Sequence, residues 1–382
     1  MNPVSNDDPV KVNENVPISE ERFVLEDFKK CSESHLWKLM MSFYDRKGVE
    51  SWSQGIVPHF ITCNSFIGKS YAKVLLGFIR DCCTPGKNKM TLDKSEPLYI
   101  IELGAGSGKF SYYMLKALEE MQAICDFPID KIVFVMTDFT ENNYNFWDTH
   151  PVLKPYFERG VLDAGIFDAV NDEEIKLRKS GKILKVDSCK NPICIGIIII
   201  VIIIIISYYY DSFYHYCYNI VANYLFDTLY HDIFQIDGGV LKEGLVSVGS
   251  KNSKEPDTLE PEIITRLDNR YKYQTIDPSY YDNEDGDEVH LRRILKWYRD
   301  YFKNNANGAS LLIPIGSLIL SIIISNIIII IILGAFRALR RLSRFANGRM
   351  LVISGDKGNN NPEHFVGLMD PHIAVHGSFS HG

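Results

Sequence analysis

The chain has 382 residues, of which 46% are hydrophobic and 23% charged, a balance typical of a globular protein with a substantial core. A formal net charge of −7 at pH 7 excludes a broad positive field, so we expect no nucleic-acid partner and no attraction to an anionic membrane surface. The eight cysteines form no C-x-x-C pair, which argues against a metal site and favours reduced thiols in an intracellular protein.

The first 95 residues divide into a tail and a helical segment. Residues 1–21 are polar and acidic, and we expect them to be disordered. They are neither rich in arginine nor poor in acids, as a mitochondrial transit peptide would be. We therefore favour the cytoplasm, with mitochondria as the alternative. Residues 22–95 are predicted to form an N-terminal helical segment, with apolar spacing that indicates helices over 24–44 and 64–82.

Residues 96–382 read as one α/β domain. Apolar strands alternate with helices, the first of these helices at 108–121, and this order predicts a doubly wound, mostly parallel sheet of the seven-stranded type. Residues 252–288 are acidic and rich in tyrosine, and they read as an insertion or a lid. The predicted strands lie at 98–103, 132–137, 161–167, 241–248 and 351–354, with one more at 193–222 once residues 196–220 are left out.

Two isoleucine-rich segments, residues 196–220 and 317–334, interrupt this pattern. One interpretation is membrane insertion. The first segment has an unbroken apolar run of only ten residues, too short to span a bilayer, whereas residues 311–333 are long enough and an arginine-rich flank follows them. If the segments are genuine, the chain is membrane-anchored.

Composition favours a second interpretation of these inserts. Ile, Tyr, Phe and Asn fill 18 of the 25 positions of the first segment, and ten of the eighteen in the second are Ile. All four residues have codons made only of A and T, so we interpret the segments as retained introns that lie outside the fold. Their removal joins Ile195 to Val221 and Gly316 to Ala335.

A glycine-rich loop follows the first strand of the α/β domain, in YIIELGAGSGKFSYYMLKAL. Gly104, Gly106 and Gly108 let the backbone turn sharply and approach a ligand, and the helix that follows offers free N–H groups. The spacing differs from the G-x-G-x-x-G of dinucleotide loops, and the Gly-Lys-Ser/Thr of a P-loop is absent. A tight strand–helix turn without a ligand is the alternative.

Acids at three strand ends indicate which ligand this loop would bind. Glu102 would repel a pyrophosphate but suits the cationic methionine end of S-adenosylmethionine. Asp138 can bind both ribose hydroxyls, and Asp168 can accept from the adenine amino group unless it only caps a helix. We therefore predict an S-adenosylmethionine-dependent methyltransferase. Its predicted donor-binding residues are Glu102, Gly104, Ala105, Gly106, Gly108, Asp138 and Asp168.

Several stretches resemble the MidA-like methyltransferases, a family that includes a mitochondrial arginine methyltransferase acting in respiratory complex I assembly. They are VPHFITCN, ELGAGSGKF, ANYLFDTL followed by FQIDGGVLKEGLV, and DPHIAVHGSF, and the resemblance runs from about residue 52 to the C-terminus. Asn223, Phe226 and Asp227 match the family's Asn-Glu-Phe-Phe-Asp-Ala-Leu segment, whereas Tyr224 replaces its Glu. The family continues beyond its late segment, so we expect that this chain is truncated at its end.

The resemblance implies a methyl acceptor, for which a protein side chain is one candidate. Two carboxylates can clamp a guanidinium, but only Asp227 is present here, so the sequence does not identify the acceptor. We predict that Asn223 and Asp227 are the catalytic residues, with Asp227 orienting or deprotonating the acceptor; a helix N-cap is its alternative role. An inactive assembly factor with the methyltransferase fold is the alternative function.

Overall fold

The computed structural model describes residues 22–54, 56–57, 63–84, 86, 91–195, 221–223, 229–276, 288–304, 309–313, 322–324, 327–329, 335–355, 366, 373–376 and 378–381. The predictions for residues 1–21 and 196–220 lie outside this part of the chain. The helices are α1 (His35–Lys47), α2 (Glu50–Ser53), α3 (Ser65–Cys83), α4 (Lys109–Glu120), α5 (Glu141–Thr149), α6 (Lys154–Glu158), α7 (Glu288–Phe302) and α8 (Ala335–Ser343). The strands are β1 (Phe23–Lys30), β2 (Leu98–Leu103), β3 (Ile132–Asp138), β4 (Leu162–Ile166), β5 (Ile175–Lys176), β6 (Ile183–Leu184), β7 (Ile193–Ile195), β8 (Val221–Asn223), β9 (Asp232–Asp237), β10 (Val240–Ser250), β11 (Arg270–Thr275), β12 (Ala309–Ile313), β13 (Ile322–Ile324), β14 (Ile327–Ile329), β15 (Met350–Gly355), β16 (Ile373–His376) and β17 (Ser378–His381).

A parallel sheet forms the centre of the α/β fold, and it confirms the predicted fold class. Its strands run in the order β4, β3, β2, then β7 and β8, then β15, and every pairing between them is parallel. Strand β2 is buried along its whole length, as the continuous apolar run predicts.

Both faces of this sheet are covered, because side chains alternate along each strand. Leu98 and Ile100 of β2 pack with α3 and α4, whereas Tyr99 and Ile101 pack on the opposite face with the region of α8. The side chain of Leu342, on α8, is fully buried there. Helices on both sides make this a doubly wound arrangement.

Strands β7 and β8 occupy one strand position, although 25 residues of sequence separate them. On β15, Val352 pairs with Ile195 and the next residue, Ile353, pairs with Val221. On β2, Ile101 pairs with Ile195 and Glu102 pairs with Val221. Ile195 and Val221 therefore pair with adjacent residues on both β15 and β2, as two consecutive residues of one strand would. Removal of the first insert would join these same two residues.

A second, antiparallel sheet of β1, β10, β9 and β12, with β11 on β10, lies between α1 and α7. It corrects two predictions. Residues 23–30 are the strand β1 rather than the start of a helix, because they pair with β10, and α1 begins only at His35. Part of the predicted lid is β11, which belongs to this sheet. The apolar spacing of 23–30 fits either structure, and pairing with a distant strand decides it.

The remaining predicted elements agree with the structure within a few residues. Helix α3 begins where the side chain of Asn64 accepts a hydrogen bond from the backbone N–H of Ile67 at 3.0 Å. Two short stretches of the second insert form the antiparallel pair β13 and β14. Within the part of the chain that is described, none of the helices has the length and apolar character needed to cross a membrane.

Candidate functional site

A cleft lies at the carboxyl ends of β2, β3 and β4, the edge where ligands of parallel α/β sheets bind. Its space, including the open mouth, is about 640 Å³. The parallel sheet supplies one wall, α1 supplies another, and Leu229 and Tyr230, just ahead of β9, supply a third. The described residues that line it are Met40, Met41, Tyr44, Leu103, Gly104, Thr137, Asp138, Phe139, Phe167, Asp168, Ala169, Val170, Leu229 and Tyr230.

The glycine loop between β2 and α4 is held by the neighbouring strand and helix. Gly104, Gly106 and Gly108 have φ angles of +66°, +53° and +72°, which L-residues with side chains rarely adopt. The N–H of Gly106 donates to Asp138 at 3.1 Å, and its carbonyl accepts from the indole N–H of Trp147 at 2.7 Å. These hydrogen bonds attach the loop to the end of β3 and to α5 beside the cleft.

Space around the loop is also fully used. A Cβ built on Gly108 would lie 2.6 Å from Cε of Met136, and one built on Gly106 would lie 3.0 Å from Cζ2 of Trp52. Ala105 is buried, and its N–H donates to the carbonyl of Thr137 at 2.9 Å. Gly104 is the loop glycine that lines the cleft.

Asp138 closes β3, the strand end at which the sequence places it, and it lines the cleft and also holds the loop. Its carboxylate accepts from the N–H groups of Gly106 and Thr140. Burial raises its pKa, and the nearby Asn143 side chain and backbone N–H groups oppose that shift. These contacts explain the position of Asp138 without a ligand, so the contact with a ribose stays a prediction.

Asp168 reaches the same cleft from the turn after β4. It accepts from the N–H of Val170 at 2.8 Å and from the side-chain amide of Asn171 at 2.7 Å, so it also caps the turn that it begins. Both the cap and the adenine contact predicted for it are compatible with this position. Asp138 and Asp168, 30 residues apart in sequence, thus face one cavity.

Glu102 points elsewhere. Its side chain is buried and accepts a hydrogen bond from the hydroxyl of Ser111 on α4, and it is not among the residues that line the cleft. Burial raises the pKa of Glu102 to about 8, while the Ser111 hydrogen bond acts in the opposite direction. A protonated carboxyl group cannot act as a counter-charge, so its predicted contact with the cationic end of the donor would require the ligand to lower that pKa.

Of the two predicted catalytic residues, only Asn223 lies in the part of the chain that the structure describes. Asn223 ends β8, where its backbone pairs with Gly355 at the carboxyl edge of the sheet. Asp227 lies outside the described residues. Leu229 and Tyr230, which follow it closely, line the cleft.

Sequence reasoning missed the wall that α1 contributes. Met40, Met41 and Tyr44 line the cleft, although they precede the glycine loop by about 60 residues. Their spacing was assigned to a helix, but an apolar helix face has the same pattern whether it meets the core or a ligand. A signal that could have been used is the aromatic pair of Tyr44 and Trp52 shortly ahead of the α/β domain, which the structure stacks together beside the loop.

No family model and no curated protein matches the chain. Two solved structures from Burkholderia thailandensis are similar to it. One is an uncharacterized protein, with 10% identity and a TM-score of 0.33 over 69% of this chain and 46% of that one. The other, of the same superfamily, is described as a "likely methyl transferase" bound to S-adenosyl-homocysteine, with 9% identity and a TM-score of 0.25 over 67% and 54%. This chain spans about half the length of each, and with such low TM-scores neither structure decides its function or its site.

Proposed function

We propose that this protein binds S-adenosylmethionine in the cleft and transfers its methyl group to an acceptor, with a protein side chain as one candidate. The observation that carries this proposal is the meeting of Gly104, Asp138 and Asp168, from three different strand ends, in one cavity. Hydroxyl and amino groups of an adenosine are suitable donors to the two carboxylates. Gly104 allows close approach of the remaining part of the ligand to the backbone of the loop.

The chemistry requires little from the protein beyond placement. The sulfonium group of the donor already activates its methyl group, so the protein must hold donor and acceptor in line and exclude water. The cleft suits this task because apolar side chains from α1 and from the β4 turn surround the two acids. Asp227 would orient the acceptor or take its proton, and the resemblance to the MidA-like family supports that role.

Calorimetry with S-adenosylmethionine and with S-adenosylhomocysteine tests donor binding, for which we expect micromolar affinity, about −8 kcal/mol. Gly106→Arg should abolish binding, because its side chain must displace Trp52 from the loop. Gly181→Arg is the matched control, since Gly181 also has positive φ, at +70°, but nothing lies within 4 Å of its Cβ position. Equal binding by wild type and Gly106→Arg would refute the assignment.

Methyl transfer separates an enzyme from an inactive assembly factor. Cell fractions treated with a donor labelled in its methyl group should acquire label only with the active protein. Asp227→Asn keeps the side-chain shape and should lower transfer while leaving donor affinity near that of the wild type. Donor binding without transfer to any fraction would favour the assembly factor.

A further inference from the structure

A stack of two aromatic side chains separates the cleft from the outer side of the glycine loop. The rings of Tyr44, on α1, and Trp52, on α2, have centroids 5.6 Å apart and an interplanar angle of 21°. Tyr44 lines the cleft, and Trp52 packs against Gly106 with its ring 3.0 Å from the position of a Cβ. Both side chains are half-buried, so the pair covers the loop without being sealed in the core.

The charges around this cleft favour a cation. Its described lining contains Asp138 and Asp168 but neither lysine nor arginine. Because the face of an aromatic ring carries negative potential, a ring in this lining attracts positive charge, most strongly where water is excluded. Stacking on Trp52 fixes the orientation of the Tyr44 ring, which limits the entropy lost when a ligand binds.

We propose that the ring of Tyr44, supported by its stack on Trp52, binds the sulfonium end of the methyl donor and makes the cleft prefer the charged donor to the neutral product. This inference rests on the proposed function. When the methyl group leaves, the sulfur keeps both electrons of the broken bond and becomes an uncharged thioether. Attraction to the ring faces is then lost, so the stack would favour product release as well as donor binding.

Paired binding measurements test this selectivity. Tyr44→Leu should weaken S-adenosylmethionine about tenfold and S-adenosylhomocysteine about twofold or less, because only the first ligand carries the sulfonium charge. Tyr44→Phe keeps the ring and should restore the wild-type ratio of the two affinities. An analogue with an ammonium group in place of the sulfonium should follow S-adenosylmethionine across all variants.

Trp52→Leu should also reduce the preference, since it removes the ring that supports Tyr44. The matched control is Trp297→Leu, because Trp297 stacks on Tyr301 in the same way, with centroids 5.4 Å apart and an angle of 24°, on α7 and outside the lining of the cleft. Thermal unfolding of each variant, with Tyr44→Phe as the folded reference, separates misfolding from lost recognition.

The outcomes distinguish this inference from the proposed function. If the wild type binds neither ligand, the proposed function fails. If the wild type binds both and Tyr44→Leu weakens both equally, or if Tyr44→Phe loses the preference, the aromatic recognition is refuted while donor binding stands.

Discussion

At the residue scale, Asp138 has two roles, one in the cleft and one in the glycine loop. It lines the cleft, and it also accepts the N–H of Gly106 and so holds the glycine loop. Its removal should therefore act on donor binding both directly and through the loop.

We expect that Asp138→Ala weakens donor binding by about 1.5–3 kcal/mol, the range for hydrogen bonds that involve a charged group. Calorimetry measures this loss. Asp237→Ala is the control, because Asp237 also closes a strand but lies outside the lining of the cleft, beside Lys242. A loss of only a few tenths of a kcal/mol would mean that another group binds the ribose.

Glu102 gives a pH prediction. Burial raises its pKa to about 8, above a value near 4.3 in an unfolded chain. At a pH between these two pKa values, the Glu102 carboxyl group is ionised in the unfolded chain but protonated in the folded protein. The contribution of Glu102 to the free energy of unfolding should therefore fall as pH rises from about 4.5 to 8.

Glu102→Gln removes this titration and can still accept from the Ser111 hydroxyl. Its stability relative to the wild type should increase with pH, by at least about 1 kcal/mol between pH 4.5 and 8, as measured by urea unfolding. Glu120→Gln is the control, because Glu120 is exposed on α4, the helix that carries Ser111. A difference that stays flat with pH would contradict the raised pKa.

At the element scale, the strand shared by β7 and β8 is the most informative feature. Ile193 packs on one face of the parallel sheet and Cys194 on the other. Continuous pairing with β15 carries this alternation from Ile195 directly to Val221. The structure therefore agrees with the interpretation of residues 196–220 as an insert outside the fold.

A deletion of residues 196–220 should keep the fold and donor binding, because it leaves the register on β2 and β15 unchanged. A deletion of 195–220 removes one residue more and would turn every following side chain of the strand to the opposite face. Thermal unfolding should show a stable first variant and a second one destabilised by several kcal/mol. Equal stability of the two would show that this strand position does not constrain the register.

At the scale of the whole molecule, the site depends on two sheets. The parallel sheet supplies the acids and the glycine loop, whereas α1 packs on the antiparallel sheet and closes the cleft with Tyr44. Leu229 and Tyr230 lie between β8 of the parallel sheet and β9 of the antiparallel sheet. The cleft therefore lies where these two layers meet, and both contribute to its lining.

The isoleucine-rich segments also make a prediction for the whole molecule. If both are retained introns, the mature transcript joins the codons of Ile195 and Val221 and those of Gly316 and Ala335, give or take a residue, and the protein stays in the supernatant of a cell fractionation. Transcript sequencing and fractionation measure these outcomes. A transcript that keeps both segments, with protein in the pellet after a carbonate wash, would favour membrane anchoring.

The sequence alone determined the parallel sheet and the glycine loop, because both depend on local patterns. Continuous apolar runs identify buried strands, and the order strand, glycines, helix requires neighbours only a few residues apart. The junction of Ile195 and Val221 was also predictable, since composition marks the insert.

Only the tertiary structure decided which residues share the cleft and what each acid contacts. Residues 23–30 become a strand because β10, more than 200 residues away, pairs with them. Tyr44 reaches the site because α1 packs on that same sheet, and Glu102 contacts Ser111 because α4 folds back over β2. The pairing of β1 with β10 and the packing of α1 join residues that are distant in sequence. The contact of Glu102 with Ser111 is close in sequence, but it depends on how α4 packs on β2, which no local pattern determines.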